Sequence, residues 1–231
     1  MSAIKLLSTL AVMGAMRDLA RRFEAETGAA IQADFSPTVA LLERLRAGET
    51  ADAAILTAQG VEELIAEGVL RPGSRMDVAL SFVGLAVKAG APRPPIRSVA
   101  ELTDSLLAAR CVAYSRIGAS GLYFAALLQR LGIADAVNAR ALVVPSGFTA
   151  ERLVSGEADL AVQQVSELMV VPGIEVIGPL PREVQTVATF SAGLLTDRPE
   201  AAALLRFLAG PKAAAALRAS GLEPAGNPAN G

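Results

Sequence analysis

Along this chain, short apolar-rich runs alternate with longer stretches in which apolar residues recur three and four positions apart. Residues 4–7, 30–35 and 53–56 are of the first kind and read as strands. Between the first two, Ala15, Met16, Leu19, Ala20 and Phe23 fall on one stripe of a helix that Gly28 ends. Ser36 as N-cap and Pro37 at the first helical position open a second helix, which runs to Ala47 and stops at Gly48. A third follows over 59–66. Strand and helix in strict alternation predict a parallel sheet with helices on both faces.

The uninterrupted apolar run 78–87 reads as a long strand that leaves one lobe and enters another. A stiff Ala91-Pro92-Arg93-Pro94-Pro95 loop follows it. After the loop come a helix at 99–108, a strand at 111–114, a helix at 120–131, a strand at 140–144, a helix at 148–155 and a strand at 160–162. The stretch 184–195 resembles a second crossing strand, and helices at 199–209 and 211–220 return to the first lobe. The expected fold is α/β: a two-lobed clamshell with a mostly parallel sheet flanked by helices in each lobe. Lobe 1 takes residues 1–81 and 192–231, and lobe 2 takes 82–191. The crossings near 78–87 and 184–195 form the hinge. The Pro/Asn/Gly-rich tail from Pro224 is expected to fray.

Four strand ends share one chemistry. Ser8-Thr9, Ser36-Pro37-Thr38, Ser115 through Ser120-Gly121, and Gln163-Gln164-Val165-Ser166 each place small hydroxyl or amide residues where a helix begins. Helix N-termini expose unpaired N–H groups and carry partial positive charge, so such loops gathered in one cleft bind an anion. Each loop alone is an ordinary helix cap. What raises the set above that reading is its place at the C-terminal ends of parallel strands, where open α/β sheets put their ligands.

Composition narrows the chemistry. The chain of 231 residues has no histidine, no tryptophan and a single cysteine. Without histidine, Cys111 has no partner to activate it and reads as a buried thiol. Clusters of the His/Cys metal-ligand kind are absent, so no metal and no cofactor are expected. A formal charge of −2, a pI near 5.4 and scarce aromatics exclude the electrostatic and stacking surfaces of a nucleic-acid binder. Residues 1–15 imitate a signal peptide with one lysine and an apolar stretch, yet residues 14–27 carry straight on as an amphipathic helix. The sequence as it stands therefore reads as cytoplasmic, or periplasmic if a leader has been removed. No apolar run approaches the roughly 20 residues that span a bilayer.

Three segments resemble the molybdate-binding-protein superfamily, the type II solute-binding proteins of ABC importers: 114–123, 156–167, and 171–181 with its Val171-Pro172-Gly173 and Gly178-Pro179-Leu180-Pro181 ends. The closing pattern 207–224 extends the resemblance over nearly the whole chain. It implies a hinged clamshell that captures a small anion between its lobes, with an ABC permease as partner if exported. Against that superfamily's molybdate site, Ala11 stands where the first loop has a serine, and Pro37, Thr38 and Val39 replace the second loop's serines. Gln163 or Gln164 replaces a tyrosine. Arg116 adds a full charge, and a guanidinium fork fits a carboxylate's two oxygens.

The expected ligand is therefore a small carboxylate, held by Ser8, Thr9, Ser36, Thr38, Arg116, Ser120, Gly121, Gln163, Gln164 and Ser166. The superfamily also holds aconitate isomerase, and the segment from Gln163 to Glu167 resembles its Gln-Gln-x-Ser-Glu-like stretch. That resemblance implies an alternative: a cytosolic isomerase of an unsaturated tricarboxylate, with Glu167 and Tyr123 as the acid–base candidates. Against it, Glu167 also reads as a surface residue of a short helix, and Tyr123 as a packed ring capping a neighbour. A molybdate- or tungstate-type oxyanion is the third reading.

Overall fold

A computed structural model describes residues 3–226. The strands and helices run β1 (Ile4–Thr9), α1 (Met13–Thr27), β2 (Ile31–Ser36), α2 (Thr38–Arg46), β3 (Ala53–Thr57), α3 (Ala58–Ala66) and β4 (Met76–Lys88). They continue α4 (Val99–Ala108), β5 (Val112–Ser115), α5 (Ala119–Arg130), α6 (Ala134–Asn138), β6 (Leu142–Val144), α7 (Glu151–Val154), β7 (Leu160–Gln164) and α8 (Val165–Leu168). The last are β8 (Ile174–Pro179), β9 (Val187–Leu194), α9 (Pro199–Leu208), α10 (Ala214–Ala219) and β10 (Glu223–Pro224). Two compact units result: one holds the chain up to Ser81 and from Ala188 onward, the other Phe82–Val187.

In the first unit β2, β1 and β3 are parallel neighbours, and β9 joins β3 antiparallel. The continuous apolar strands follow from burial on both faces. Ile4 and Leu6 of β1, with Ala53 and Ile55 of β3, enter one core against α1 and α9. Their neighbours Leu7, Ala54 and Leu56 enter a second core with Leu41 and Leu45 of α2 and Val61 and Leu64 of α3. Successive side chains of a strand point to opposite faces, so a strand covered on both sides is apolar at every position.

The second unit repeats this logic. β6, β5 and β7 are parallel, while β4 joins β7 and β8 joins β4 antiparallel. Val112, Tyr114, Leu160 and Val162 face one core, and Ala113 and Ala161 the other. Tyr114 and Phe124 meet edge to face at 5.2 Å between ring centroids, which adds about 1 kcal/mol beyond the buried area.

Several expected boundaries move. Ser8 and Thr9 continue β1, and Gln163 and Gln164 continue β7, because strand pairing persists to the sheet edge. The pairing of Thr9 with Ser36 keeps Ser36 in the sheet, so α2 starts at Thr38 with Pro37 as its cap. The helix expected over 148–155 shortens to α7, while α6 and β8 carry no strong periodicity and escape the sequence reading. At the expected frayed tail, Glu223 and Pro224 instead pair with Leu80 and Ala79 of β4. The rest of that tail, from Asn227, lies outside the described residues.

Candidate functional site

The first unit gathers its hydroxyls at the C-terminal edge of its parallel strands. Ser8 and Thr9 lie in register with Phe35 and Ser36, and Ser8 also with Ile55. Ser8 is fully buried and donates to the Thr9 carbonyl at 3.3 Å. Thr9 is buried and enters a 3₁₀ turn over Leu10–Val12 without capping it. Thr38 is buried at the first position of α2. The Ser36 hydroxyl accepts from Arg44 Nη1 at 2.9 Å, and the same guanidinium pairs with Asp34 and Glu49. Ser36 is thus engaged by a charged cluster rather than serving as the expected cap. A hydroxyl absent from the sequence reading, Thr57, caps α3 by accepting from Gly60 N–H at 3.2 Å. Its signal was plain, a threonine at the meeting of a strand and a helix.

In the second unit, β5 and β6 end together, Ser115 beside Val144, and β7 lies on the other side of β5. Gly121 sets how closely α5 approaches that edge. A Cβ there would stand 1.7 Å from the Ser115 carbonyl oxygen, so glycine alone allows this packing. The helix starts at Ala119, one residue before its expected start, and places Ser120 buried in its first turn.

Arg116 is exposed, and its Nε and Nη2 donate to the Tyr114 hydroxyl at 3.1 and 2.9 Å. That hydroxyl donates in turn to Asn138 Oδ1 at 2.6 Å. Among the described residues Arg116 enters no ion pair, so its charge is braced by a buried tyrosine yet unneutralised.

Gln163 and Gln164 separate in role. Gln163 Oε1 accepts from the Thr149 N–H at 2.8 Å and its hydroxyl at 3.0 Å, while Nε2 donates to the Gly147 carbonyl at 3.2 Å. Its amide clasps the loop that precedes α7, which occupies a residue expected to contact ligand. Gln164 is buried as the N-cap of α8, and by hydrogen-bond distance its Oε1 has no partner among the described residues. Ser166 is buried on α8.

Glu167 is only 8% exposed, where a surface position was the plain expectation. Its Oε2 accepts from the Gln164 N–H at 3.4 Å. Burial pushes the carboxyl from 4.5 up to about 7, against the opposing pull of hydrogen bonds from the Gln164 backbone and the Gln163 side chain. Tyr123 donates to the Val184 carbonyl at 2.6 Å and accepts from Arg130 Nη2 at 3.2 Å, so its hydroxyl is spent on packing. No cluster of three potential metal ligands occurs among the described residues, and no helix there is long and apolar enough to cross a membrane.

Two α/β units, each with hydroxyl- or amide-bearing residues at its strand ends, make up the fold of the type II solute-binding proteins. The chain belongs to the bacterial extracellular solute-binding protein family, whose sequence profile matches residues 4–223. It is 34% identical over 232 aligned residues to an aconitate isomerase from Pseudomonas sp, spanning 96% of this chain and 88% of that protein. In three dimensions it resembles the periplasmic molybdate-binding protein of Azotobacter vinelandii, with a TM-score of 0.80 at 21% identity, covering 95% of this chain and 98% of that one. A sulfate-binding protein from Mycobacterium tuberculosis gives a TM-score of 0.72 at 16% identity, over 99% of this chain and 88% of the other.

Proposed function

We propose that this protein captures a small polycarboxylate, with aconitate and its tricarboxylate kin as the first candidates. The observation that carries the reading is Arg116, a braced but unneutralised arginine two residues before the Gly118 cap of α5. A lone positive charge suits a carboxylate, whereas neutral hydroxyls and amides alone suffice for a dehydrated oxyanion. The aconitate isomerase relative supports the same ligand class. Ser120, Gly121 and Gln164 are the proposed neutral contacts in this unit, and Ser8, Thr9 and Thr38 those of the other. An ABC permease is the partner this reading assigns to an exported copy.

A second reading rests on Glu167. A carboxyl that titrates near 7 is matched to proton transfer at neutral pH. In an allylic shift the carboxylate removes a proton from the methylene carbon, leaving a carbanion delocalised into the adjoining double bond and carboxylate. The resulting carboxylic acid returns that proton at the far carbon, so no proton is gained or lost overall. The test is a proton NMR time course with cis-aconitate, citrate and related tricarboxylates. Broadening of ligand signals without new resonances is expected of a binding protein. Growth of trans-aconitate signals at catalytic protein levels makes it an isomerase, and that activity should vanish in Glu167→Gln. Unchanged spectra for every tricarboxylate overturn the ligand class.

A further inference from the structure

The second unit holds a cavity of about 490 Å³ at the N-terminal end of β7. It lies beneath the proline loop: Pro92, Pro94 and Pro95 line it on one side, Ala108 and Ala109 at the end of α4 on another, with Val87 and Leu160 beside them. This volume is in the range that admits a small organic ligand, about 300–1,000 Å³.

The cavity is held open by its frame. Ser105 donates its hydroxyl to the Pro95 carbonyl at 2.6 Å, fixing one end of the loop. Arg93 grips Glu175 at 2.6 Å, and the Gly90 N–H bonds the same carboxylate at 3.3 Å, fixing the other. The alanines on α4 are too small to fill what the loop spans.

The charged lining is one guanidinium and two carboxylates. Prolines supply no N–H, the Ser105 hydroxyl is spent, and the Arg93 charge is matched by Glu175. Two carboxylates remain. Asp159 accepts the Arg110 and Cys111 N–H groups at 2.9 and 2.7 Å and keeps further lone pairs. Asp104 is exposed, and no hydrogen bond or ion pair engages it among the described residues. Apolar walls with two carboxylates left over, beside a guanidinium whose charge Glu175 already offsets, suit a molecule that brings both an apolar body and a positive charge.

We propose that the cavity beneath residues 91–95 is a second binding site, one that takes a small aliphatic ammonium ion, its chain among the prolines and alanines and its charge toward Asp104 and Asp159. The site is independent of the anion-binding strand ends.

The test titrates the intact protein with hexylamine, hexanol and hexanoate, followed by amide ¹H–¹⁵N spectra. Hexylamine should shift the Val87, Ala109 and Leu160 resonances saturably, hexanol should bind at least threefold more weakly, and hexanoate should not titrate. Ala108 is exposed at the cavity wall, so Ala108→Phe fills the space without touching the core and should weaken hexylamine at least tenfold. Asp104→Lys should reverse the preference in favour of hexanoate. Equal binding of hexylamine and hexanoate, or an unchanged hexylamine affinity in Ala108→Phe, overturns the proposal. Both variants should hold tricarboxylate exactly as weakly or tightly as the unaltered protein, which separates this site from the first.

Discussion

Replacing Glu167 by glutamine should remove a pH dependence from the stability of the fold. The carboxyl sits near 7 when folded and near 4.5 when exposed, because burial penalises its charged form. Below 4.5 both states hold the proton and the group adds no pH dependence. Between 4.5 and 7 the folded state keeps a proton that the unfolded state has released, so stability falls as pH rises. At about 1.4 kcal/mol per pH unit, the loss across that window is about 3 kcal/mol, and it levels off above 7. Glutamine keeps the shape and an oxygen to accept the Gln164 N–H, but carries no titrating proton. Urea unfolding of both proteins, followed by circular dichroism at pH 4.5 and at pH 8, isolates the effect. Relative to Glu167→Gln, the unaltered protein should lose about 3 kcal/mol between the two conditions, since every other carboxylate cancels in the comparison. A difference that stays constant within about 1 kcal/mol would refute burial as the cause of the shift.

Gly121→Ala should destabilise the fold by about 3 kcal/mol in the same assay, because the new methyl meets the Ser115 carbonyl, a backbone atom that has little freedom to move. Gln163→Ala should cost about 2 kcal/mol, measured by thermal unfolding, since it strands the buried Thr149 N–H without an acceptor. Arg116→Ala should weaken tricarboxylate binding by about 2 kcal/mol, or roughly 30-fold, in calorimetry. Unchanged affinity there would remove Arg116 from the site.

Much of the fold was legible from periodicity. The stripe of α1, the stop at Gly28 and the bounds of α4 follow from spacing and local backbone preference. Gly28 adopts φ 72°, a conformation glycine enters without steric cost. The candidate site was legible only as a set of residue types at strand ends. Gln163 and Gln164 are chemically identical neighbours, and alternation along β7 sends one amide onto the 147–149 loop and the other elsewhere. Nothing in the local sequence foretells which of the two is spent.

The sequence by itself determined the order of the main strands and helices, though not α6 or β8, the aliphatic cores on both faces of each sheet, and the absence of histidine chemistry. These are properties of composition and of neighbours a few positions apart. Only the tertiary structure decided that Glu167 is buried, that Gly121 must lie against the Ser115 carbonyl, and that the Tyr114 hydroxyl braces Arg116. Solvation, close approach and charge balance depend on groups brought together from distant parts of the chain or across a turn, and no periodicity along a single segment records them.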